Sequence, residues 1–244
     1  MTQESTQPEA PRLRDAARSR QALLDAGRRL FADHGYAGAS VDAICREAGV
    51  NKAMVSYHFG GKAGLHGAIL ADLLDPVVMR LNELAASPLD PEAKLRGYFH
   101  LMLELHRDRR RFPQMVLREV LAGGDHLDRS VRQRIAAIFD AVRRMIQEGI
   151  DAGVFRPVDP FLTYLTLAGS LIFFFATEPF RERMLEENRA LAAAGGIDPR
   201  AAHLPTEAPS PEAFVAQAEE IFLSALRRPA GRPDVESEPR RFPS

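Results

Sequence analysis

A single cysteine, Cys45, in 244 residues excludes an internal disulfide and a cysteine metal cluster, and it fits a reducing, cytoplasmic setting. Lysine is nearly as scarce: only Lys52, Lys62 and Lys94 occur, and two of them lie within one short segment. Neither sign of charge prevails. The net charge is -1, so the chain as a whole is no basic nucleic-acid coat. The first residues are polar and proline-bearing, without the apolar stretch of a signal peptide. The uncharged run Phe161 to Thr177 falls short of the ~20 residues a spanning helix needs. It also carries Thr163, Tyr164, Thr166 and Ser170, and so reads as a core or interface helix with no membrane role. No strand-like alternation rises above noise, which makes the expected fold class all-α. Catalytic arrangements are missing too. There is no Ser/His/Asp order, no phosphate-cradling glycine loop and no HExxH, so an enzyme is not expected, nor a cofactor or metal.

What is present is concentrated between Arg12 and Lys62, where basic residues outnumber acidic ones. A local basic surface matters more for DNA than the global sum. An amphipathic helix is expected from about Asp15 to His34, with Leu23, Leu24, Leu30 and Phe31 on one face and Gly35 ending it. The stretch Ala39 to Leu65, ASVDAICREAGVNKAMVSYHFGGKAGL, then reads as two short helices around a tight turn. Ser40 is placed to cap the first, Gly49 suits the turn, and Asn51 is placed to cap the second. That is the layout of a helix-turn-helix, which sets its second helix in the major groove of DNA. A fourth helix begins near Lys62, and Pro76 is expected to kink or divide it.

Beyond Ser87 the helices lengthen. Asp90-Pro91, Asp159-Pro160 and Ser210-Pro211 each pair a capping residue with a proline, a helix-start signal. Helices are expected over roughly 91–110, 113–122, 126–152, 160–177 and 211–227, with a loop over 195–210. The expected organisation is a disordered arm over 1–16, a DNA-binding domain over 17–77, a second helical domain over 78–228 and a disordered tail over 229–244.

The segments LLDAGRRLFADHGY, SVDAICREAGV and YHF followed by GGKAGL resemble the N-terminal domain of tetracycline-repressor (TetR) family regulators. The resemblance covers Arg20 to Leu74, less than a third of the chain. It implies DNA contact through Asn51, Lys52, Ala53 and Ser56 at the start and on one face of the recognition helix. Tyr57 and His58 correspond to a phosphate-contacting pair, and Lys62 and Ser40 stand at helix starts where phosphates bind. Many members carry tyrosine where this chain has Ser56, whose hydroxyl reaches less far. The resemblance further implies a variable helical domain that binds a small effector and forms a homodimer.

Candidate pocket residues in that second domain are Phe99, Met102, His106, Met115, Glu119, Phe139, Tyr164 and Phe174, of which about three are expected to line a cavity. Helices 160–177 and 211–227 are the expected dimer elements. His100 and Glu104, at i, i+4, are expected to be an ordinary pair rather than metal ligands, and Arg107 to Arg111 a solvated helix end. The expected function is a repressor that a small, largely apolar effector releases from a palindromic double-stranded DNA operator. An activator of the same architecture and a helical protein-interaction module stay open as alternatives.

Overall fold

The computed structural model describes residues 9–195 and 207–229, with side chains from Asp15 onward. Among the described residues it is all α-helical: α1 (Glu9–Gly38), α2 (Val41–Ala48), α3 (Ala53–Phe59), α4 (Lys62–Ala86), α5 (Pro91–Asp108), α6 (Phe112–Leu121), α7 (Arg129–Asp151), α8 (Pro160–Ala176), α9 (Glu178–Ala193) and α10 (Pro211–Leu226). The proline-led starts behave as their chemistry requires. Asp90, Asp159 and Ser210 accept from the backbone N–H of Ala93, Leu162 and Ala213 at 2.9, 2.9 and 3.0 Å. Each cap satisfies a donor that the first helical turn leaves without a partner.

Four expectations need correction. Helix α1 extends back to Glu9, where an unfolded arm over 1–16 is expected from sequence; residues 1–8 lie outside the described residues. Its break at Gly35 (φ 69°) is a kink, and helical turns continue to Gly38. Helix α4 runs undivided through Pro76. Proline removes the N–H that would bond to the carbonyl of Asp72, one turn earlier. The Arg109 guanidinium approaches that oxygen at 3.4 Å and partly replaces the lost donor. Finally, α9 has no counterpart among the helices expected from sequence. Its mixed, charge-rich sequence lacks a clean apolar stripe, and of its residues Leu185 alone is buried. Most of the expected loop 195–210 and tail 229–244 lies outside the described residues.

Two apolar cores meet along α4. The first gathers Leu23, Phe31, Ile44, Val55, Leu65 and Ile69 from α1 to α4, together with Phe112, Met115 and Val131 from α6 and α7. The second gathers Leu81, Leu95, Phe99, Val142, Met145 and Leu167 from α4, α5, α7 and α8. Leu65 to Leu74 belong to the first core and Val77 and Leu81 to the second, so one rigid helix is shared by both. Removing a leucine such as Leu65 or Leu81 from either core would cost about 2–5 kcal/mol by the usual cavity rule. Lys94 is buried in the second core, where its ammonium donates to Ala85 O at 3.0 Å and to Glu148 at 2.7 and 2.8 Å. A buried cation survives there because its donors are satisfied.

Candidate nucleic-acid interface and the adjoining cavity

Helices α2 and α3 are joined across Gly49, which caps α2 at φ 66°, a conformation that glycine reaches without strain. Ser40 Oγ accepts from Ala43 N at 3.1 Å to start α2, and Asn51 Oδ1 accepts from Ala53 N at 2.9 Å to start α3. The inner face of this pair is held by Ile44, Cys45 and Val55, all buried. Cys45 is thus a small core residue whose thiol is pushed up by burial, with the Asp42 charge adding to it.

The outer face carries the polar candidates. Ser40, Asn51, Lys52, Ala53, Ser56 and Tyr57 are all exposed, and Tyr57 keeps 73% of its surface in solvent. A tyrosine that only packed on the core would not stand out so far. His58 is half-buried and its Nε2 lies 2.9 Å from Ser19 Oγ of α1. Ser19 spends its own proton on Ala16 O at 2.9 Å, so the histidine is the donor in that contact. Lys62, at the first turn of α4, sits 4.5 Å above the Tyr36 ring. Lys52 pairs with Asp42 at 2.9 Å, which holds its ammonium further toward the charged form. Both partners are largely exposed, so this pair is worth little and yields readily to a phosphate or a guanine edge. Phe59 turns inward, half-buried against the first core under the Arg20 guanidinium.

A cavity of about 440 Å³ opens beside α4, walled by α4, α5, α6, α7 and α8. Of the eight expected pocket residues, Met102, His106, Glu119 and Tyr164 line it. The other four do not. Phe99 is core and faces Phe222, and Phe174 stacks on Phe214 at 3.7 Å beneath Arg181. Phe139 packs on Phe161 and Tyr164, and Met115 belongs to the first core. Four of eight is close to the three expected, because aromatics and methionines at helical spacing serve a core as readily as a pocket. Residues missed from sequence include Leu70, Leu74 and Val77 of α4, with Tyr98 and Phe175. The first three recur at i, i+4, i+7, a visible stripe, but periodicity does not distinguish a filled core from an empty one.

The polar cavity groups are strained for partners. His106 stacks on Phe175 at 4.2 Å, and burial lowers its basicity although Glu178 stands 3.8 Å away. Glu119 is buried with its carboxyl pushed up, chiefly by burial. It reaches His66 of α4 at 3.4 Å and His126 of the α6–α7 link at 3.6 Å. The His66 imidazole is pushed down to about 4, mainly by burial.

Arg107 to Arg111 stay largely exposed, as a solvated helix end would, and also reach acids on other helices. Arg107 bonds Glu212 of α10 at 2.6 Å, Arg109 faces Asp72 of α4, Arg110 bonds Glu178 of α9 at 2.7 Å, and Arg111 bonds Asp33 of α1. The run ties the α5–α6 corner to four other helices. His100 and Glu104 likewise turn to other elements, His100 toward Glu219 at 3.6 Å and Glu104 to Arg80 at 2.6 Å. Among the described residues no group of three acidic, histidine or cysteine side chains is placed to hold a metal ion.

The family description "Bacterial regulatory proteins, tetR family" matches residues 23–69, and "Tetracyclin repressor-like, C-terminal domain" matches residues 91–195. The chain belongs to the tetR family. It is a DNA-binding regulator of transcription and not an enzyme. Over 160 residues, 66% of this chain and 75% of the relative, it is 28% identical to the HTH-type transcriptional regulator RutR of Escherichia coli (strain K12). It is 26% identical, over 60% of itself and 76% of the relative, to the HTH-type transcriptional repressor AcnR of Corynebacterium glutamicum. Its fold is similar to that of the ketosteroid transcriptional regulator KstR2 of Mycobacterium tuberculosis, with a TM-score of 0.63 and 19% identity over 86% of this chain and 95% of that one. For this tetR-family chain no single helix among the described residues is long and apolar enough to cross a membrane.

Proposed function

We propose that the chain is a homodimeric repressor, acting in the cytoplasm, that leaves a palindromic operator when a small, largely apolar molecule enters the cavity beside α4. The observation that carries this reading is α4 itself. Its first residue, Lys62, stands next to the recognition helix α3, while Leu70, Leu74 and Val77 of the same helix wall the cavity. A ligand that reshapes the cavity therefore pushes on the element that positions the DNA-contacting face. An effector acts only through its preference for the released state, typically a coupling of ~1–3 kcal/mol. The DNA-binding domain of this reading spans 17–77 and the effector and dimerisation domain 78–228. Asn51, Lys52, Ala53 and Ser56 meet base edges; Ser40, Tyr57, His58 and Lys62 meet phosphates.

The test is a salt titration on the promoter fragment upstream of the protein's own gene, beside a scrambled fragment. Binding is expected to be specific and to weaken steeply with salt. Lys62→Ala should flatten the log–log salt slope by about 1, the signature of one lost phosphate contact. Equal weak binding to both fragments, or an unchanged slope, would count against the assignment.

The dimer rests on exposed apolar side chains that solvent does not favour: Phe161, Leu162 and Phe173 on α8, Phe180 and Met184 on α9 and Ile221 on α10. Exposed apolar side chains of this size suit an association surface. Two-fold symmetry would set the two α3 helices one DNA turn apart, ~34–36 Å. Phe161→Glu with Ile221→Glu is expected to halve the sedimenting mass to the 27.0 kDa of one chain. Losing the second half-site should weaken operator binding at least about 100-fold. A double variant that still sediments as a dimer would move the interface elsewhere.

A further inference from the structure

Five aromatic rings reach the cavity, from Tyr98, Phe112, Tyr164, Phe173 and Phe175. Among the described residues, Glu119 is the only carboxyl that lines it, and no lysine or arginine does. Glu119 is buried, and its Oε2 accepts no hydrogen bond. Its two histidine neighbours offset its burial only in part. His66 Nε2 stands at 3.4 Å from Oε1 and His126 Nδ1 at 3.6 Å from Oε2, and burial holds His66 in its neutral form. Among the described residues, a carboxyl held this way has histidines beside it but no lysine or arginine, the permanent cation a buried acid needs most.

We propose that the effector is a lipophilic cation: an apolar body bearing one positively charged nitrogen, which docks against Glu119 and the aromatic rings. This rests on the reading of the cavity as the effector site. Aromatic faces attract a desolvated ammonium, and an acid beside them supplies the opposite charge. A carboxylate ligand of the same shape meets the reverse, a like charge at Glu119, with His106, whose basicity burial lowers, as the only basic side chain among the described lining residues. The same contact offers a route to DNA. Glu119 touches His66, one turn along α4 from Lys62, so a cation that draws Glu119 toward itself changes what α4 packs against.

The test uses the full-length protein and three probes with one ten-carbon chain and different heads: decyltrimethylammonium, 1-decanol and decanoate, each kept below its micellar concentration. Calorimetric titration is expected to rank the cation at least about tenfold tighter than the alcohol, with decanoate weakest. Glu119→Gln should abolish that preference and leave decanol binding unchanged. Tyr164→Leu should weaken the cation severalfold more than the alcohol, and it decides the matter if Glu119→Gln fails to fold. Decanol or decanoate binding as tightly as the cation would overturn the proposal. So would a cation preference that survives the substitutions. Ala168→Trp, which fills the cavity, separates the two levels. If it abolishes decanol binding and no cation preference exists, the cavity is the effector site and its ligand is not a cation. If none of the probes binds, or all bind Ala168→Trp as well as the parent, the cavity reading itself falls and the cation with it.

Discussion

Gly64→Ala is expected to cost about 3 kcal/mol of stability, at the top of the usual overpacking range. A Cβ placed on Gly64 would stand 1.8 Å from the carbonyl oxygen of Phe59 and 2.9 Å from its carbonyl carbon. Both are backbone atoms, so no side chain can rotate away to make room. The corner between α3 and α4 must open instead, and with it the spacing between the outer face of α3 and Lys62. A thermal melt should show Tm falling by about 6–12 °C for a chain of this size. Operator affinity should fall with it, because the phosphate-facing and base-facing groups no longer keep one geometry. Gly169→Ala is the control. Nothing lies within 4 Å of a Cβ built there, and the site is inside α8, so alanine should be neutral or stabilising by up to about 1 kcal/mol. Equal melts for Gly64→Ala and the parent would mean that the corner relaxes freely and does not set the α3–α4 geometry.

Gly64 also marks where the sequence stops being legible. The glycine stands in plain view within GGKAGL, yet only the three-dimensional return of the chain shows that Phe59 O occupies the space of its missing side chain. Local signals did carry the architecture. Capping residues followed by proline located the starts of α5, α8 and α10, and the αL demand at Gly49 located the turn of the helix-turn-helix. These features depend on neighbours in the chain, so they can be read without the fold. What failed depends on partners distant in sequence. At Pro76, part of the donor lost to α4 comes from Arg109, 37 residues from Asp72. The solvated arginines Arg107, Arg110 and Arg111 do not show from sequence that they meet Glu212, Glu178 and Asp33 of other helices. The cavity is the clearest case. Whether Phe99 or Tyr164 meets empty space depends on how five helices fail to fill the volume between them, and no single helix carries that information.

Acid should loosen the first core where α1, α4 and α6 meet, and His66 is the residue expected to report it. Its imidazole lies almost wholly buried between Phe31 and Tyr36 of α1, Glu119 of α6 and His126 of the α6–α7 link, with Lys62 on its own helix and Asp128 nearby. Burial dominates over the facing charges and lowers its pKa from 6.5 to about 4. Unfolded, the same group takes up a proton near 6.5, so below that pH the unfolded chain binds more protons than the folded one. The stability tied to neutral His66 is thus complete above about pH 6.5 and is lost as pH falls toward 4. A shift of this size corresponds to roughly 3 kcal/mol. His106, also lowered by burial, adds to the loss with the same sign. Glu119 works in the opposite direction, because its raised carboxyl regains a proton more readily in the folded state and stabilises it as pH falls. Urea unfolding between pH 7.5 and 4 should therefore show a declining free energy in the parent and a markedly flatter profile in His66→Gln. Glu119→Gln, which removes the compensating group, should make the decline steeper. Parallel profiles for the parent and His66→Gln would show that the imidazole titrates alike in both states, and that the α1–α4–α6 joint is not held by a neutral histidine.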